Sequence, residues 1–345
     1  MWSKRFAILD KGEAVKRVSV IIPNWNGIDL IGPCLESLYR QSFGDFDVIV
    51  VDNGSSDGSV PFIEKEFPKA MVLRFDENRG FSAAVNAGIA ASNSPYISLL
   101  NNDTEVDERW LEQMVAALEA HPDAGSAASK ILYFSDRATV NSAGDQFSLF
   151  GVPYQRRCLR GKEARFNRTE YVFSACAAAA LYRRQLFQSI GVFDETFFAY
   201  QEDVDWGFRA QLLGYRCLFV PEAIVYHKAR MTSAKISGLR LYLNQRNKYF
   251  VLIKNLPMTL GFVCLPLIVL FEGFCLFRAV WSGHPEVYFK ACRDVWRHVP
   301  EMARRRREIQ SRRVKDDAYI FSLLNFREPL GILFSDLERF CLEKA

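Results

Sequence analysis

The chain has 345 residues, of which 49% are hydrophobic and 24% are charged. This composition excludes a disordered chain, a collagen and a disulfide-stabilised miniprotein, and the length allows one large domain or two modest ones. The formal net charge is +4, but residues 290–315 alone hold ten Lys and Arg against three acids, so the positive charge is local. The eight cysteines form no Cys-x-x-Cys pair or Cys/His cluster, which disfavours structural zinc and predicts reduced, mostly buried thiols.

From residue 18 onward, short apolar runs alternate with stretches of helical spacing. Strands without polar alternation that are separated by helices are typical of a parallel sheet covered on both faces. The sequence therefore predicts a doubly wound α/β domain. The predicted strands lie at 18–22, 48–51, 71–75 and 96–100, and the predicted helices at 28–40, 59–67 and 81–91.

The pattern continues towards residue 230. The sequence predicts strands at 177–182 and 216–220, and helices at 183–190 and from about 202 to 213. Residues 135–170 are polar and follow neither period, which predicts an irregular, flexible loop near the site. Residues 1–17 are an N-terminal extension without a long apolar stretch, so no secretory signal peptide is predicted.

Polar segments follow the first four predicted strands directly. The carboxyl ends of parallel strands meet at one edge of the sheet, where folds of this kind bind ligands. Each segment alone is explained by a turn or a helix cap, but four together predict a ligand-binding rim. The chain has no Gly-rich dinucleotide fingerprint and no P-loop, which disfavours a nicotinamide dehydrogenase and a P-loop kinase. The four segments are 23–26, 52–55, 76–80 and 101–103.

Two acidic segments, at 103 and at 202–205, carry candidate chemistry. Asp103 lies at the rim, where one carboxylate together with phosphate oxygens can hold Mg²⁺; the alternative is a helix cap, although the next predicted helix begins several residues later. Glu202, Asp203 and Asp205 begin a predicted helix, where the helix dipole also favours acids. Aromatic residues around these three predict a partly apolar pocket, which raises a carboxylate's pKa and keeps it useful as a base.

The order of these motifs is specific, although each of them is weak alone. Over residues 18–255 the sequence resembles the family 2 glycosyltransferases of the GT-A fold, in particular their rhamnosyltransferase-like branch. The matching segments are 18–26 (VSVIIPNWN), 50–57 (VVDNGSSD), 78–81 (NRGF), 86–88 (NAG), 99–103 (LLNND), 191–194 (GVFD), 202–209 (EDVDWGFR) and 225–227 (VYH). Residues 242–247 (YLNQRN) and Lys254 are similar to a stretch that follows the catalytic domain in this branch.

The resemblance implies a GT-A catalytic domain over 18–254, with a mostly parallel central sheet and flanking helices. It implies a helical region over 255–345 that is apolar, then basic, and that associates with membranes. Asp203 is implied as the general base beside Glu202, and Asp103 and His227 as metal ligands, although a lone His is more often structural. The implied nucleotide-sugar site consists of Pro23, Asn24, Asn26, Asp52, Asn78, Gly80, Phe81, Asn86, Asn101 and Asn102.

The implied activity is the inverting transfer of one sugar, rhamnose from dTDP-rhamnose, to a hydroxyl of a lipid-linked glycan in cell-surface polysaccharide synthesis. Mg²⁺ or Mn²⁺ is the implied cofactor, although Asn101 and Asn102 leave one acid in the family's DxD-type motif. The Gln-x-x-Arg-Trp motif of processive members does not occur, so a single addition is expected.

Two alternatives stay open. A nucleotidyltransferase shares the sheet type, but residues 23–27 are neither Gly-rich nor basic. A non-catalytic membrane scaffold with a degenerate transferase domain would explain the single acid at 101–103. No nucleic-acid partner is expected, and the donor sugar, the acceptor and the oligomeric state stay undetermined.

Residues 255–271 carry no charge and approach the roughly 20 apolar residues of a spanning helix. Pro257, Pro266 and Glu272 argue against a span, and a single span would separate the α/β domain from the basic segment, although both belong in the cytosol. The sequence predicts a re-entrant or interfacial helical pair bent near Pro266. The protein would be peripheral or monotopic on the cytoplasmic face of the plasma membrane, with residues 290–315 against anionic headgroups. The alternative is a buried helical subdomain followed by a solvated basic helix.

Overall fold

The computed structural model describes residues 15–157, 163–228 and 237–326. The predicted elements between residues 18 and 227 are present, with small shifts at their ends. The helices are α1 Ile28–Tyr39, α2 Ser59–Glu66, α3 Phe81–Ala91, α4 Trp110–Ala120, α5 Gln185–Ser189, α6 Glu202–Leu212, α7 Ser237–Asn255, α8 Met258–Trp281, α9 Pro285–Ser311 and α10 Asp317–Leu323. The strands are β1 Val18–Asn24, β2 Phe46–Asn53, β3 Met71–Phe75, β4 Tyr96–Leu100, β5 Thr104–Val106, β6 Ala124–Tyr133, β7 Val140–Ser142, β8 Asp145–Ser148, β9 Pro153–Gln155, β10 Glu170–Val172, β11 Ala179–Arg183, β12 Arg216–His227 and β13 Leu324–Asn325.

The large sheet has the strand order β10-β12-β6-β11-β4-β1-β2-β3. The half that contains β3, β2, β1 and β4 is parallel, as predicted. β11 then runs antiparallel between β4 and β6, and β12 pairs parallel with β6 but antiparallel with β10 and β5. The expectation of a mostly parallel sheet therefore holds for the first half, while the second half is mixed.

Helices cover both faces of this sheet. Val20 and Ile22 of β1 belong to a core shared with α1, α2 and α4. Ile21 belongs to the opposite core, which is shared with α3 and α6. Because both faces are buried, β1 has no polar alternation. Trp110 on α4 and Trp206 on α6 are fully buried in these two cores.

The described part of the segment 135–170, which was expected to be an irregular loop, is more ordered than predicted. It contains β7, which pairs with β6, and the hairpin β8–β9, which forms a small sheet with β13. These strands are three or four residues long, so they are too short to show a period in the sequence. Asn141, Asp145 and Gln155 of these strands line a cleft at the edge of the large sheet.

The C-terminal helices pack on the α/β domain through α7, which contacts α6 and α9. α8 runs through Pro266 as one helix, so the predicted pair of helices on either side of this residue is wrong. The chain reverses after α8, where Gly283 has a φ of +77° that favours glycine. Part of the basic segment points inward: Arg306 donates to the carbonyl oxygens of Ile253 and Leu256, at 2.9 and 2.7 Å. Residues 327–345 of the predicted C-terminal region lie outside the described residues.

Candidate active site

A cleft of about 550 Å³ opens at the carboxyl ends of β1 and β4 and extends to the first turns of α6 and α7. This is the rim that the polar segments predict. Most of the predicted site residues line it: Pro23, Asn24, Asn78, Gly80, Phe81, Asn101, Asn102, Asp103, Glu202, Asp203 and His227. Asn26, Asp52 and Asn86 do not line it.

An amide network shapes the floor of the cleft at the ends of β1 and β4. Asn102 Nδ2 donates to Asn24 Oδ1 at 2.8 Å, and Asn24 Nδ2 donates to Asp52 Oδ1 at 3.1 Å. A Cβ atom on Gly27 would lie 2.3 Å from Asn102 Nδ2, so only glycine allows this approach. Asn102 therefore positions the β1 turn.

The three predicted residues outside the cleft support its walls. Asn86 Nδ2 donates to the carbonyl of Phe193 at 2.8 Å, and its Oδ1 accepts from Phe193 N at 3.1 Å. Asp52 is buried and accepts from Asn24 and from the backbone N–H of Ser55. Asn26 has a φ of 47° and accepts from Ser56 N at 2.8 Å. These contacts connect neighbouring loops and leave the role of all three in nucleotide binding as a prediction.

Asp103 and His227 meet in the cleft because β5, just after Asp103, pairs antiparallel with the end of β12. His227 Nε2 lies 3.1 Å from Asp103 Oδ1, and His227 Nδ1 lies 3.0 Å from Asn141 Oδ1. If Nδ1–H donates to Asn141, the bare Nε2 faces a carboxylate oxygen, so a proton or a cation belongs between them.

The ligand atoms of this pair, a carboxylate oxygen and an imidazole nitrogen, suit a divalent cation. Two adjacent ligands on an octahedral ion with bonds of about 2.1 Å lie about 3 Å apart, which is close to the observed separation. Among the described residues no group of three His, Cys, Asp or Glu could hold a metal. An ion at Asp103 and His227 would therefore complete its coordination with water and with phosphate oxygens.

Glu202 and Asp203 open α6 directly after a loop in unusual conformations. Phe198, Tyr200 and Gln201 have φ values of 65°, 69° and 67°, in the left-handed region that non-glycine residues seldom adopt. A Cβ on Gly80 would lie 2.4 Å from the carbonyl oxygen of Phe198, so Gly80 admits this loop to the cleft. Strained backbone of this kind concentrates at functional sites.

The two acids have different environments. Asp203 Oδ2 accepts from Ala177 N at 2.9 Å, and Oδ1 accepts from Val204 N at 2.8 Å. Burial raises the pKa of Asp203 in spite of these bonds. Glu202 Oε2 is buried and has no hydrogen-bond partner among the described residues. Burial, followed by the charge of Asp203, raises the pKa of Glu202 well above its ordinary value.

The sequence interpretation missed several residues of the cleft. The hairpin β8–β9 contributes Asp145 and Gln155, and α7 contributes Arg240 and Asn244. Asp145 is 4% exposed and lies in the segment interpreted as an irregular loop. No signal in the sequence identifies it, because its strand is too short for periodicity. Asn141, the partner of His227, lies in the same segment.

The sheet, the polar cleft at the strand ends and the Asp103–His227 pair define a glycosyltransferase of the GT-A type. A family model described as Glycosyl transferase family 2 matches residues 19–191, half of the chain. The chain belongs to this family. The predicted family and fold are thereby confirmed.

Relatives in several organisms are similar over about three fifths of the chain. The uncharacterized protein y4gI of Sinorhizobium fredii is 30% identical over 227 residues, covering 62% of this chain and 25% of that protein. The O-antigen biosynthesis protein RfbC of Myxococcus xanthus is 28% identical over 61% of this chain and 17% of that protein. An N-acetylglucosaminyl-diphospho-decaprenol L-rhamnosyltransferase of Mycobacterium tuberculosis is 28% identical over 58% of this chain and 74% of that protein. The chain thus spans a quarter or less of the first two relatives.

Solved structures are similar in fold. A mannosyltransferase of Pyrobaculum calidifontis, solved with GDP-Man and Mn²⁺, has a TM-score of 0.52 and 15% identity over 86% of this chain and 85% of its own. GalNAc-T7, solved with UDP, GalNAc and Mn²⁺, has a TM-score of 0.51 and 16% identity over 62% of this chain and 44% of its own. At these identities the similarity establishes the GT-A fold alone.

Proposed function

We propose that the protein is an inverting glycosyltransferase that moves one sugar from a nucleotide diphosphate to a hydroxyl of a lipid-linked glycan. The observation that carries this proposal is the presence of Asp203 and of the Asp103–His227 pair in one cleft. An inverting transfer needs a base for the attacking hydroxyl and a site that accepts charge on the leaving diphosphate. The cleft has one candidate for each task.

Asp203 is the proposed base. Two backbone N–H groups fix its carboxylate, and burial raises its pKa towards the pH at which a base is efficient. The acceptor hydroxyl gives its proton to Asp203 as its oxygen attacks the anomeric carbon, and the bond to the diphosphate breaks. The product then has the inverted configuration, which proton NMR of the anomeric centre measures; retained configuration would exclude this role.

Asp103 and His227 are the proposed holders of Mg²⁺ or Mn²⁺. A bound cation would supply charge stabilisation for the leaving diphosphate. Arg240, at the mouth of the cleft, adds a second positive charge on the α7 side. The structures of two neighbours with Mn²⁺ support this assignment.

The proposed donor is dTDP-rhamnose and the proposed acceptor carries a lipid diphosphate. Support comes from the relative in Mycobacterium tuberculosis, whose name gives a rhamnosyltransferase acting on a diphospho-decaprenol. RfbC, named for O-antigen biosynthesis, supports a role in cell-surface polysaccharides.

The membrane proposal rests on the two faces of α8. This helix has 24 residues and is the one described helix that is long and apolar enough to span a bilayer. One side packs on the protein: Leu260 and Cys264 are buried, and Phe271 contacts Phe150 of the loop between β8 and β9. Glu272 also points inward, to Gln245 and Lys248 of α7.

The other side of α8 is apolar and open. A helix that contacts its own domain along one side lies on the domain surface, and its free apolar side suits the interface of a bilayer. We therefore propose monotopic association with the cytoplasmic face, where nucleotide sugars are made. The exposed side chains of this face are Met258, Phe262, Val263, Leu265, Val269, Leu270, Phe277, Val280 and Trp281.

A donor screen tests the proposed function. The purified protein with Mg²⁺ or Mn²⁺ is incubated with a panel of nucleotide sugars, and release of the nucleoside diphosphate is measured. Hydrolysis of one donor with release of a nucleoside diphosphate is expected. Release of pyrophosphate from a nucleoside triphosphate would instead favour a nucleotidyltransferase, and no donor binding at all would favour a scaffold.

A further inference from the structure

Besides the proposed base, the cleft contains a carboxyl group that the described mechanism does not use. Asp145, at the start of β8, lines the cleft and is 4% exposed. Its carboxyl accepts a hydrogen bond from Ser174 Oγ at 3.3 Å, and its backbone N–H donates to Ser174 O at 2.8 Å. Asp145 is thus fixed to one end of the segment 174–177.

The other end of this segment holds Asp203, because Ala177 N donates to Asp203 Oδ2. Three residues of chain span at most about 10 Å, so the two carboxyl groups share one part of the cleft. Glu202, next to Asp203, adds a third group. Its Oε2 is buried without a hydrogen-bond partner among the described residues although Glu202 lines the cleft. A buried carboxyl oxygen in this state favours a ligand that donates hydrogen bonds.

We propose that Asp145, Glu202 and Asp203 form the acceptor subsite, and that it takes a neutral sugar with a hydroxyl group beside the one that reacts. This inference rests on the proposed function, since an inverting attack brings the acceptor to the side of the base. Asp203 receives the proton of the reacting hydroxyl. Asp145 and Glu202 hydrogen-bond to the neighbouring hydroxyl, and so position the acceptor without exchanging atoms with it.

The charge of the subsite decides the class of sugar. None of the three carboxyl groups forms an ion pair with Lys or Arg within the described ranges. An acidic sugar would have to move its own carboxylate out of water and next to Asp203, which is unfavourable. Burial, followed by the charge of Asp203, raises the pKa of Asp145 well above its ordinary value.

The hairpin that contributes Asp145 to this subsite also contacts α8. The loop between β8 and β9 contacts α8 through Phe150 and Phe271, and a Cβ on Gly151 would lie 3.2 Å from Ile268. Gln155, at the far end of β9, lines the cleft. Four strand residues span about 13 Å, so the end of β9 that lines the cleft lies within about 13 Å of the loop that contacts α8. A lipid-linked acceptor fits this arrangement.

Acceptor kinetics and acceptor binding test the inference on the full chain. The donor is the nucleotide sugar that the protein hydrolyses, and the probes are p-nitrophenyl glycosides of N-acetylglucosamine, galactose, glucose and glucuronic acid. We expect at least one neutral glycoside to bind, by saturation-transfer NMR, and the glucuronide to bind at least tenfold more weakly. Asp145→Ala should raise the acceptor KM at least tenfold, with the donor KM changed less than twofold.

Two further variants serve as controls for Asp145→Ala. Asp145→Asn, which retains hydrogen bonding, should recover most of the acceptor affinity, and Gln146→Ala, on the neighbouring position outside the cleft lining, should behave as wild type. An unchanged acceptor KM in Asp145→Ala, or a glucuronide bound as well as the neutral glycosides, overturns the inference while donor hydrolysis still supports the proposed function. Absence of donor binding and hydrolysis in the wild type overturns both.

Discussion

The side-chain nitrogen of Asn247 on α7 lies 2.8 Å from the carbonyl oxygen of Tyr200, two residues before Glu202. The same nitrogen lies 3.0 and 2.9 Å from the carbonyl oxygens of Phe197 and Ala199. The loop that these bonds hold contains three non-glycine residues with positive φ, each of which costs roughly 1–3 kcal/mol. Helix α7 therefore holds the loop that orients the proposed base.

Removing the side-chain amide of Asn247 should reduce turnover more than it reduces the affinity for the nucleotide-sugar donor. We expect Asn247→Ala to lower kcat roughly 10- to 100-fold, because a displacement of about 1 Å at a reacting group has effects of that size. The loss of stability should be roughly 1–3 kcal/mol, since buried carbonyl groups lose their donor. Steady-state kinetics and urea unfolding measure the two effects, with the exposed Asn93→Ala as control. A less stable variant with unchanged kcat would show that Asn247 is structural only.

The same helix ends in a buried ionic network. Lys254 Nζ lies 2.6 Å from Asp194 Oδ2 and 2.7 Å from Asp205 Oδ1. Arg305 of α9 also pairs with Asp194. Burial alone would raise the pKa of Asp194, but the charges of Lys254 and Arg305 outweigh it and hold this pKa well below its ordinary value. The network thus connects α9 to the segment before α6.

Because the folded-state pKa of Asp194 is lowered, its stabilisation is present above the unfolded pKa of about 4 and is lost as the pH falls through the folded pKa. Asp194→Asn should lower the free energy of unfolding by about 3–5 kcal/mol at pH 7, because it leaves buried cations unpaired. Urea unfolding at pH 7 and pH 3 checks this, and the difference from wild type should be smaller at pH 3. An equal difference at both pH values would contradict the assigned ionisation.

The proposed cation site predicts that two substitutions weaken the binding of Mn²⁺. Asp103→Ala should weaken Mn²⁺ binding beyond detection by titration, because it removes the carboxylate of the pair. Asn141→Ala, which removes the partner of His227 Nδ1, should weaken it roughly 10- to 100-fold. Electron paramagnetic resonance of Mn²⁺ in the presence of a nucleoside diphosphate measures both. Mn²⁺ binding that survives Asp103→Ala unchanged would exclude this site.

The apolar face of α8 predicts binding to lipid vesicles. Phe262→Glu combined with Leu270→Glu should weaken co-sedimentation with vesicles that contain phosphatidylglycerol at least tenfold, because each side chain contributes roughly 1.5–3 kcal/mol when buried. Val192→Glu, at an exposed apolar position of the catalytic domain, is the control. If high salt abolishes vesicle binding and the double variant binds as well as wild type, the protein contacts the membrane through the basic segment only.

The sequence predicted the fold where elements are long and where both faces of a strand are buried. β1 is an example, because its Val–Ile run has no other simple interpretation. The continuity of α8 could not be predicted, because Pro266 is compatible both with the end of one helix and with the interior of a longer one. Asp145 and Asn247 were missed as site residues because each acts through neighbours that are distant in sequence, Ser174 and the loop at 197–200.

Replacement of the proposed base tests the central claim most directly. Asp203→Asn removes the proton acceptor but keeps the size of the side chain, so transfer to a hydroxyl acceptor should fall by roughly 10²–10⁴-fold. The dissociation constant of the donor, measured by calorimetry in the same preparation, should change less than threefold. Transfer that stays within threefold of wild type, with the donor still bound, would contradict the assignment of Asp203 and with it the proposed mechanism.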